Sequence, residues 1–142
     1  MYRATTEIAA APEQVFALLT DPERMKSWQP DAIESHPPEG GVRVGARAHV
    51  VAQEYGRRFS VEFLVVALTP NERLAWDMDT SHVSARIEYR LVRHGNRTGV
   101  ECTMDPKFKG VMRFLAPFLK GMLQRKMESR VALLRDVVEA GR

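Results

Sequence analysis

Alternation of apolar and polar residues predicts that most of the chain is β-strand. The cleanest pattern runs from His82 to Leu91, where every second residue is apolar and the others are polar or charged. Side chains with a period of two lie on opposite faces of a strand. Seven strands are predicted, separated by turns such as Pro37 to Gly41: Tyr2 to Ala9, Asp31 to His36, Ala46 to Tyr55, Arg57 to Leu68, Arg73 to Asp79, His82 to Leu91 and Val100 to Met104. Pro106 is expected to close the last strand.

Two of these strands differ in how clearly they can be oriented. The fourth places Phe59, Val61, Phe63, Val65 and Ala67 on one face. The two faces of the third strand are similar in character, so the pattern leaves open which of them points inward.

Helical spacing is found at both ends of the strand region. Ala11-Pro12 opens a short helix, and Pro22 to Trp28 predicts a second one. The stretch from Val111 to Ala140 predicts one long helix. A stripe of apolar residues runs along its full length and is expected to dock on the sheet: Met112, Ala116, Leu119, Leu123, Met127, Val131, Leu134 and Val138.

The order β-α-α-β-β-β-β-β-β-α predicts an α+β fold. Strands joined by tight turns are antiparallel neighbours, and the apolar face of their sheet has to be covered. We therefore expect a curved, seven-stranded antiparallel sheet wrapped around the long C-terminal helix, with residues 1–142 as a single domain. A concave sheet around one helix leaves a cavity between them unless large side chains fill it.

The front half of the long helix carries a second apolar stripe. Its members are Val111, Phe114, Leu115, Phe118 and Met122. Leaving these side chains in water forgoes several kcal/mol, at ~25 cal/mol per Å². Three explanations stay open: cover by the short helices through Phe16, Met25 and Trp28, a self-association surface such as a homodimer, or a gate for an apolar ligand.

Charge distinguishes the same region. The whole chain has a formal charge of +3, which is too small to predict a nucleic-acid partner. From Lys107 to Arg130, however, seven Lys and Arg residues stand against Glu128 alone. These are either solvated stems beside an apolar face or a contact with an anionic surface, such as a membrane or RNA.

Composition is ordinary for a globular protein, with 44% hydrophobic and 27% charged residues among 142. No apolar run approaches the ~20 residues that span a bilayer, and the N-terminal residues lack the apolar core of a signal peptide. The single cysteine, Cys102, allows no internal disulfide and suits a reducing compartment. We therefore expect a cytoplasmic protein.

Three stretches carry a resemblance to a known family. They are ATTEIAAAPEQVFALLTDPERMKSWQPD from Ala4, VRVGARAHV from Val42 and ERLAWDMD from Glu72. Together they resemble the polyketide cyclase/dehydrase-like branch of the START-related helix-grip superfamily, which includes lipid-transfer proteins and the birch-pollen-allergen fold. The resemblance implies a hydrophobic cavity between sheet and C-terminal helix. Relatives use it for lipids, quinones, hormones or polyketides; some are cyclases or aromatases, and many only bind.

No catalytic constellation is evident in the sequence. The four histidines are far apart with no metal-ligand spacing, and neither a Gly-rich phosphate loop nor a GxSxG motif occurs. No metal or cofactor is therefore expected. Tyr89 and His49 are weak candidates for polarising a carbonyl, and Cys102 is interpreted as an inert core thiol. Whether the protein is an enzyme stays open.

The leading hypothesis is a binder or carrier of a small hydrophobic ligand, such as a lipid, a quinone or a polyketide-like molecule. The alternatives are a polyketide-type cyclase or aromatase, and an interaction module that uses the basic, apolar start of the last helix. The predicted ligand-binding residues are Trp28, Phe63, Trp76, Met78, Ile87, Tyr89, Met104, Leu115, Phe118, Leu119 and Met122.

Overall fold

The computed structural model describes residues 1–30, 32–36, 40–54 and 56–141. Its elements follow the predicted order: β1 Tyr2–Ile8, α1 Pro12–Leu19, a 3₁₀ turn Pro22–Arg24 leading into α2 Met25–Trp28, β2 Ala32–His36, β3 Arg47–Glu54, β4 Arg57–Thr69, β5 Arg73–Asp79, β6 Val83–His94, β7 Arg97–Phe108 and α3 Met112–Ala140. Six residues lie outside the described ranges. Five of them belong to predicted elements: Asp31 starts the second strand, Pro37, Pro38 and Glu39 belong to the turn after it, and Tyr55 ends the third strand. The sixth is Arg142.

The strands form one curved antiparallel sheet in the order β1-β7-β6-β5-β4-β3-β2. Consecutive strands from β2 to β7 are neighbours, as short turns require, and β1 pairs with β7 from Tyr2↔Met104 to Ile8↔Thr98. The longest hairpin joins β6 to β7 through Gly95, whose φ of 65° suits a tight turn. The predicted α+β fold is confirmed.

Pro106 does not end the last strand, so that prediction is wrong. β7 continues to Phe108, and Pro106 pairs with Ala85 of β6. The pairing of β7 with β1 ends at Met104, so β7 has an unpaired edge beyond that point. A proline is tolerated at such an edge because its missing N–H need not break the ladder.

The structure settles the orientation of β3 and changes that of β4. Ala48 and Val50 of β3 line an interior cavity, which leaves His49 on the outer face, opposite Glu62. In β4 the register shifts between Val65 and Ala67. Beyond this bulge Leu68 packs against the core, in place of the predicted Ala67.

Ion pairs, not a helix, cover the outer face of β5 and β6. Arg86 donates to both carboxylate oxygens of Asp77, at 2.7 Å from Nε and 3.1 Å from Nη2. Lys109 Nζ donates to Asp79 Oδ1 at 2.6 Å. These hydrogen bonds lower the pKa of both carboxyl groups. This part of the outer face is thereby left polar.

Helix α3 packs on the inner side mainly against β1 and β7. Its back half supplies Met127, Val131, Leu134 and Val138 to the core, which confirms the back half of the docking stripe. The front four residues of the stripe are only half-buried: Met112, Ala116, Leu119 and Leu123. At its C-terminal end Glu139 Oε1 accepts the Ala9 N–H at 2.9 Å. The helix runs without interruption through its internal proline. None of the described helices has the length and apolarity needed to cross a bilayer.

Candidate functional site

A cavity of about 100 Å³ lies between the short N-terminal helices and strands β3, β4 and β5. Most of its wall is apolar, and three polar residues complete it. The lining residues are Leu19, Thr20, Asp21, Met25, Trp28, Gln29, Val42, Ala48, Val50, Phe63, Val65, Leu74 and Trp76. Helix α3 contributes none of these residues, so the cavity lies to one side of the long helix and not beneath its front half, where we expected it.

Four aromatic side chains form a contiguous cluster at this wall. Trp76 stacks on Tyr89 with ring centroids 5.5 Å apart. Trp28 meets Tyr89 edge-on at 5.9 Å, and Phe63 meets Trp76 edge-on at 6.2 Å. Because the Tyr89 ring contacts both tryptophan rings, it restricts their orientation in the absence of a ligand. The arrangement presents flat apolar surfaces to a small molecule.

Tyr89 itself stands behind the cavity wall. Its side chain is fully buried, and the residue lies opposite Cys102 in the neighbouring strand. Burial raises the pKa of Tyr89 well above its ordinary value and raises the pKa of Cys102 to about 11. The positive charge of Arg130 opposes both shifts. Both groups are neutral at physiological pH, which makes them a poor acid–base pair.

His49, the other catalytic candidate, lies away from the cavity. Its ring stacks on His36 of the neighbouring strand, with centroids 5.6 Å apart, on the outer face of the sheet. The alternation that places Ala48 and Val50 at the cavity directs His49 to the opposite side. The structure therefore does not bring His49 and Tyr89 together.

The predicted ligand-binding residues divide into three groups. Trp28, Phe63 and Trp76 line the cavity. Ile87 and Tyr89 are buried in the core, and Met78 and Met104 pack against it. The remaining residues belong to α3: Leu119 and Met122 are half-buried, and Leu115 and Phe118 are exposed.

Sequence reasoning missed most of the cavity wall. Ala48 and Val50 were hidden by the similar faces of β3, and small aliphatic residues carry no signal of their own. Leu19 lies in the helical stripe of α1, where core packing explains it equally well. The polar residues Thr20 and Asp21 follow α1 directly and read as a helix end.

The second stripe of α3 is largely uncovered. Val111, Phe114 and Phe118 are 74%, 75% and 83% exposed, and Leu115 is 46% exposed. These four residues are called the front patch below. Cover by the short helices is therefore wrong: Phe16 and Trp28 pack in the core, and Met25 lines the cavity.

Two larger grooves lie elsewhere and have walls that are polar and apolar in about equal parts. One, of about 330 Å³, is bordered by Arg57, Arg58 and His82. The other, of about 370 Å³, is bordered by Glu13 and Arg93, which bond to each other at 2.6 Å. Neither is enclosed by apolar side chains, so the smaller aromatic cavity is the better candidate for a hydrophobic ligand.

Comparison with known proteins places the chain in a family. Residues 2–139 match the profile described as "Polyketide cyclase / dehydrase and lipid transport". A search of curated proteins gives no match.

Solved structures share the fold at low sequence identity. The aromatase/cyclase ZhuI from Streptomyces sp. R1128 aligns with a TM-score of 0.80 at 16% identity, over 96% of this chain and 92% of that one. Ara h 8.0201 aligns with a TM-score of 0.78 at 13% identity, over 98% and 97%. DynU16, a protein of the dynemicin biosynthetic locus, aligns with a TM-score of 0.72 at 17% identity. The alignment covers 99% of this chain and 48% of DynU16.

These likenesses establish the fold, and the family match covers nearly the full length of the chain. The protein belongs to the polyketide cyclase/dehydrase and lipid transport family.

Proposed function

We propose that this protein binds a small hydrophobic molecule in the aromatic cavity. The observation that carries the proposal is the apolar wall built by Trp28, Phe63 and Trp76. Water against this apolar part of the wall finds few hydrogen-bond partners. An apolar ligand that fills it gains dispersion contacts and removes its own surface from water.

The size of the cavity limits what enters it. An apolar cavity of about 150 Å³ in another protein takes up benzene. At about 100 Å³, this cavity fits a group no larger than one small ring or a branched chain end. Thr20, Asp21 and Gln29 supply the polar part of its lining. A lipid, quinone or polyketide-like ligand would place such an apolar group inside.

Binding is better supported than catalysis. The described lining residues include one ionisable side chain, Asp21, whose Oδ1 already accepts the Glu23 N–H at 3.0 Å. General acid–base catalysis needs a donor and an acceptor placed at the reacting atoms. Tyr89 is buried behind the cavity wall and His49 is on the outer face, so neither supplies that pair.

A pair of neighbouring substitutions tests the proposal. Ala48→Phe adds a ring inside the cavity, and His49→Phe adds the same ring on the outer face. Toluene is the probe, and emission from the two tryptophans of the chain, both at the cavity wall, is the readout. We expect saturable binding to the wild type and to His49→Phe, and loss of binding in Ala48→Phe.

Equal toluene binding by Ala48→Phe and the wild type would contradict the proposal. If Ala48→Phe does not fold, as judged by thermal unfolding, Ala48→Leu fills less of the cavity and serves the same purpose. Native mass spectrometry of the purified protein then shows whether a hydrophobic ligand is already bound.

The front patch favours a second function, docking on an anionic membrane surface. Phe114 and Phe118 are one turn apart and point outward together. Arg125 and Lys126 lie one turn beyond Met122, and Lys107 precedes the patch. Exposed aromatics with bases at their border are typical of helices that lie in a membrane interface.

The charges argue against the patch as a homodimer contact. Bases stand at both ends of it, so two copies joined through this face would bring like charges together in either helix orientation. An anionic bilayer, in contrast, is attracted by the bases and accepts the aromatic rings.

Vesicle sedimentation tests the docking. We expect binding to mixed phosphatidylcholine and phosphatidylglycerol vesicles, weakened several-fold by Phe118→Ser and reduced by Arg125→Gln or added salt. Val92→Ser, which removes an exposed apolar side chain elsewhere, is the matched control and should have no effect. Equal binding to pure phosphatidylcholine, or a lipid-free dimer that Phe118→Ser abolishes, would contradict it.

A further inference from the structure

Two arginines border the first of the larger grooves without a carboxylate partner among the described side chains. Arg57 and Arg58 are exposed and line this groove of about 330 Å³ together with His82. Elsewhere on the sheet an arginine meets a carboxylate, as Arg86 meets Asp77 at 2.7 Å. Neither Arg57 nor Arg58 forms an ion pair with an acidic side chain that the structure describes. Their positive charge is therefore available to an anionic ligand.

The acidic residue that adjoins the groove is already neutralised. Asp79 directly precedes Thr80, which lines the groove. Its Oδ1 atom accepts hydrogen bonds from Lys109 Nζ and from Ser84 Oγ, each at 2.6 Å. The carboxylate of Asp79 is therefore engaged on the outer face and leaves the two arginines to another partner.

The turn between β5 and β6 holds further donors at the groove. Thr80 Oγ1 donates to the Val83 carbonyl and accepts the Val83 N–H, each at 3.0 Å, which fixes the shape of the turn. Ser81 and His82 lie within this turn and line the groove, as does Ser60 of β4. Guanidinium and hydroxyl groups are donors that suit the oxygens of a phosphate group.

The same groove has an apolar part. Phe59 is half-buried, and its ring meets that of His82 edge-on with centroids 6.3 Å apart. Polar and apolar groups share the wall in about equal parts. A phosphate group joined to a hydrocarbon part fits such a wall better than a bare inorganic ion does.

The groove and the front patch lie at the same end of the molecule. The turn that borders the groove is at the end of the sheet where β7 leads into α3. Lys109 of this connection donates its N–H to the His82 carbonyl and its Nζ to the Thr80 carbonyl, each at 2.9 Å. Val111, the first residue of the front patch, follows two residues later. An anionic headgroup in the groove would therefore be near the membrane that the patch contacts.

We propose that this groove binds the phosphate monoester headgroup of an anionic lipid while the front patch lies in the membrane interface. The inference rests on the proposed membrane docking and sharpens it, because it names the headgroup. A phosphate monoester carries about −1.5 to −2 charges and three acceptor oxygens, whereas a phosphodiester carries only about one charge. Two guanidinium groups are suited to hold several oxygens of one monoester.

Sedimentation with two kinds of vesicle tests the headgroup. One contains phosphatidic acid, a monoester, and the other phosphatidylglycerol, a diester, each mixed with phosphatidylcholine to the same zeta potential. We expect the wild type to bind phosphatidic acid roughly threefold to tenfold more tightly, the scale of one or two ion pairs at a surface. The double variant Arg57→Gln/Arg58→Gln should lose this preference and keep most of its binding to phosphatidylglycerol.

A matched double variant separates headgroup recognition from general charge. Lys120→Gln/Arg125→Gln removes the same charge from exposed positions of α3, outside the groove. It should weaken binding to both kinds of vesicle by the same factor and leave the preference for phosphatidic acid unchanged. All four positions are exposed, and thermal unfolding checks that both variants fold.

Glycerol 3-phosphate, the same headgroup without acyl chains, distinguishes a lipid from a free phosphate. Its binding is followed by the imidazole NMR signals of His82, which are identified by their loss in His82→Gln. We expect these signals to shift only at high glycerol 3-phosphate concentration, because the front patch adds nothing to the binding of a chain-free headgroup. Glycerol 3-phosphate bound as tightly as phosphatidic acid vesicles would contradict a lipid ligand.

The outcomes separate the headgroup inference from membrane docking. If the wild type binds both kinds of vesicle equally, or Arg57→Gln/Arg58→Gln keeps the preference for phosphatidic acid, the inference is overturned and membrane docking stands. If the wild type binds neither kind of vesicle, membrane docking fails and the inference fails with it.

Discussion

The two halves of α3 have similar apolar content but opposite environments. In the back half Val131, Leu134 and Val138 are buried against the sheet. In the front half Phe114 and Phe118 face solvent. The difference shows that one helix can hold the fold together at one end and leave an apolar surface free at the other. Packing accounts for the first half, and the exposed second half is the surface for which we propose membrane docking.

Polar contacts mark where the fixed half begins and ends. Gln124 Nε2 donates to the Arg3 carbonyl at 2.7 Å, and Glu139 accepts from Ala9 at the far end. Both contacts tie α3 to β1 or to the residue that follows it. The front patch lies before the first of these contacts, so the helix is attached to the sheet mainly behind it.

The largest expected effect is on Leu134. Leu134→Ala should lower the free energy of unfolding by about 2–5 kcal/mol because it leaves a cavity in a fully buried site. Phe118→Ala is the matched change in the exposed half and should stay within about 0.5 kcal/mol of the wild type. Urea unfolding measures both. Similar losses in the two variants would remove the distinction between the halves.

A smaller effect is expected at alkaline pH. Burial beneath the back half raises the pKa of Cys102 from 9.0 to about 11, so above pH 9 the unfolded chain loses this proton more readily than the folded one. Stability should therefore fall as pH rises, by about 1–2 kcal/mol between pH 7 and pH 10. Tyr89, whose pKa is also raised by burial, adds to the loss from about pH 10 upward.

Cys102→Ser is the control for this titration. Serine keeps a hydroxyl near Tyr89 but has no proton that titrates in this range, so the slope of stability against pH should become shallower between pH 9 and pH 10. Urea unfolding at each pH gives the slope. An unchanged slope would show that Cys102 does not contribute.

The smallest effect concerns the end of the fixed half. Glu139→Ala removes the acceptor for the Ala9 N–H, which is part-buried, and should cost about 1 kcal/mol. Glu139→Gln keeps an acceptor oxygen and should cost less. Thermal unfolding compares the two, and equal losses would mean that the hydrogen bond contributes little.

The sequence predicts the strands well where one face is plainly apolar. β6 alternates between core residues such as Ile87 and polar ones such as Arg86, and the structure confirms the pattern. β3 could not be oriented because Ala48 and Val51 are similar side chains on opposite faces. The prediction for Pro106 was wrong because a proline is tolerated there only where β1 leaves the edge of β7 unpaired. That depends on where β1 begins, which is a property of the sheet and not of the sequence around Pro106.

The site was harder to predict than the fold. Trp28 and Trp76 stand out in the sequence as large flat side chains, but only the fold brings them to one cavity. The position of that cavity beside α2 depends on how β3, β4 and β5 curve. The exposure of Phe118 likewise depends on how far the short helices reach along α3, which no local pattern specifies.

A crystal structure of the protein with toluene tests the central claim most directly, since the probe could occupy either apolar region. We predict electron density for the ring against Trp28, Phe63 and Trp76, in the cavity. Density only at Phe114 and Phe118, or an empty cavity at saturating toluene, would contradict the proposal that the cavity is the ligand site.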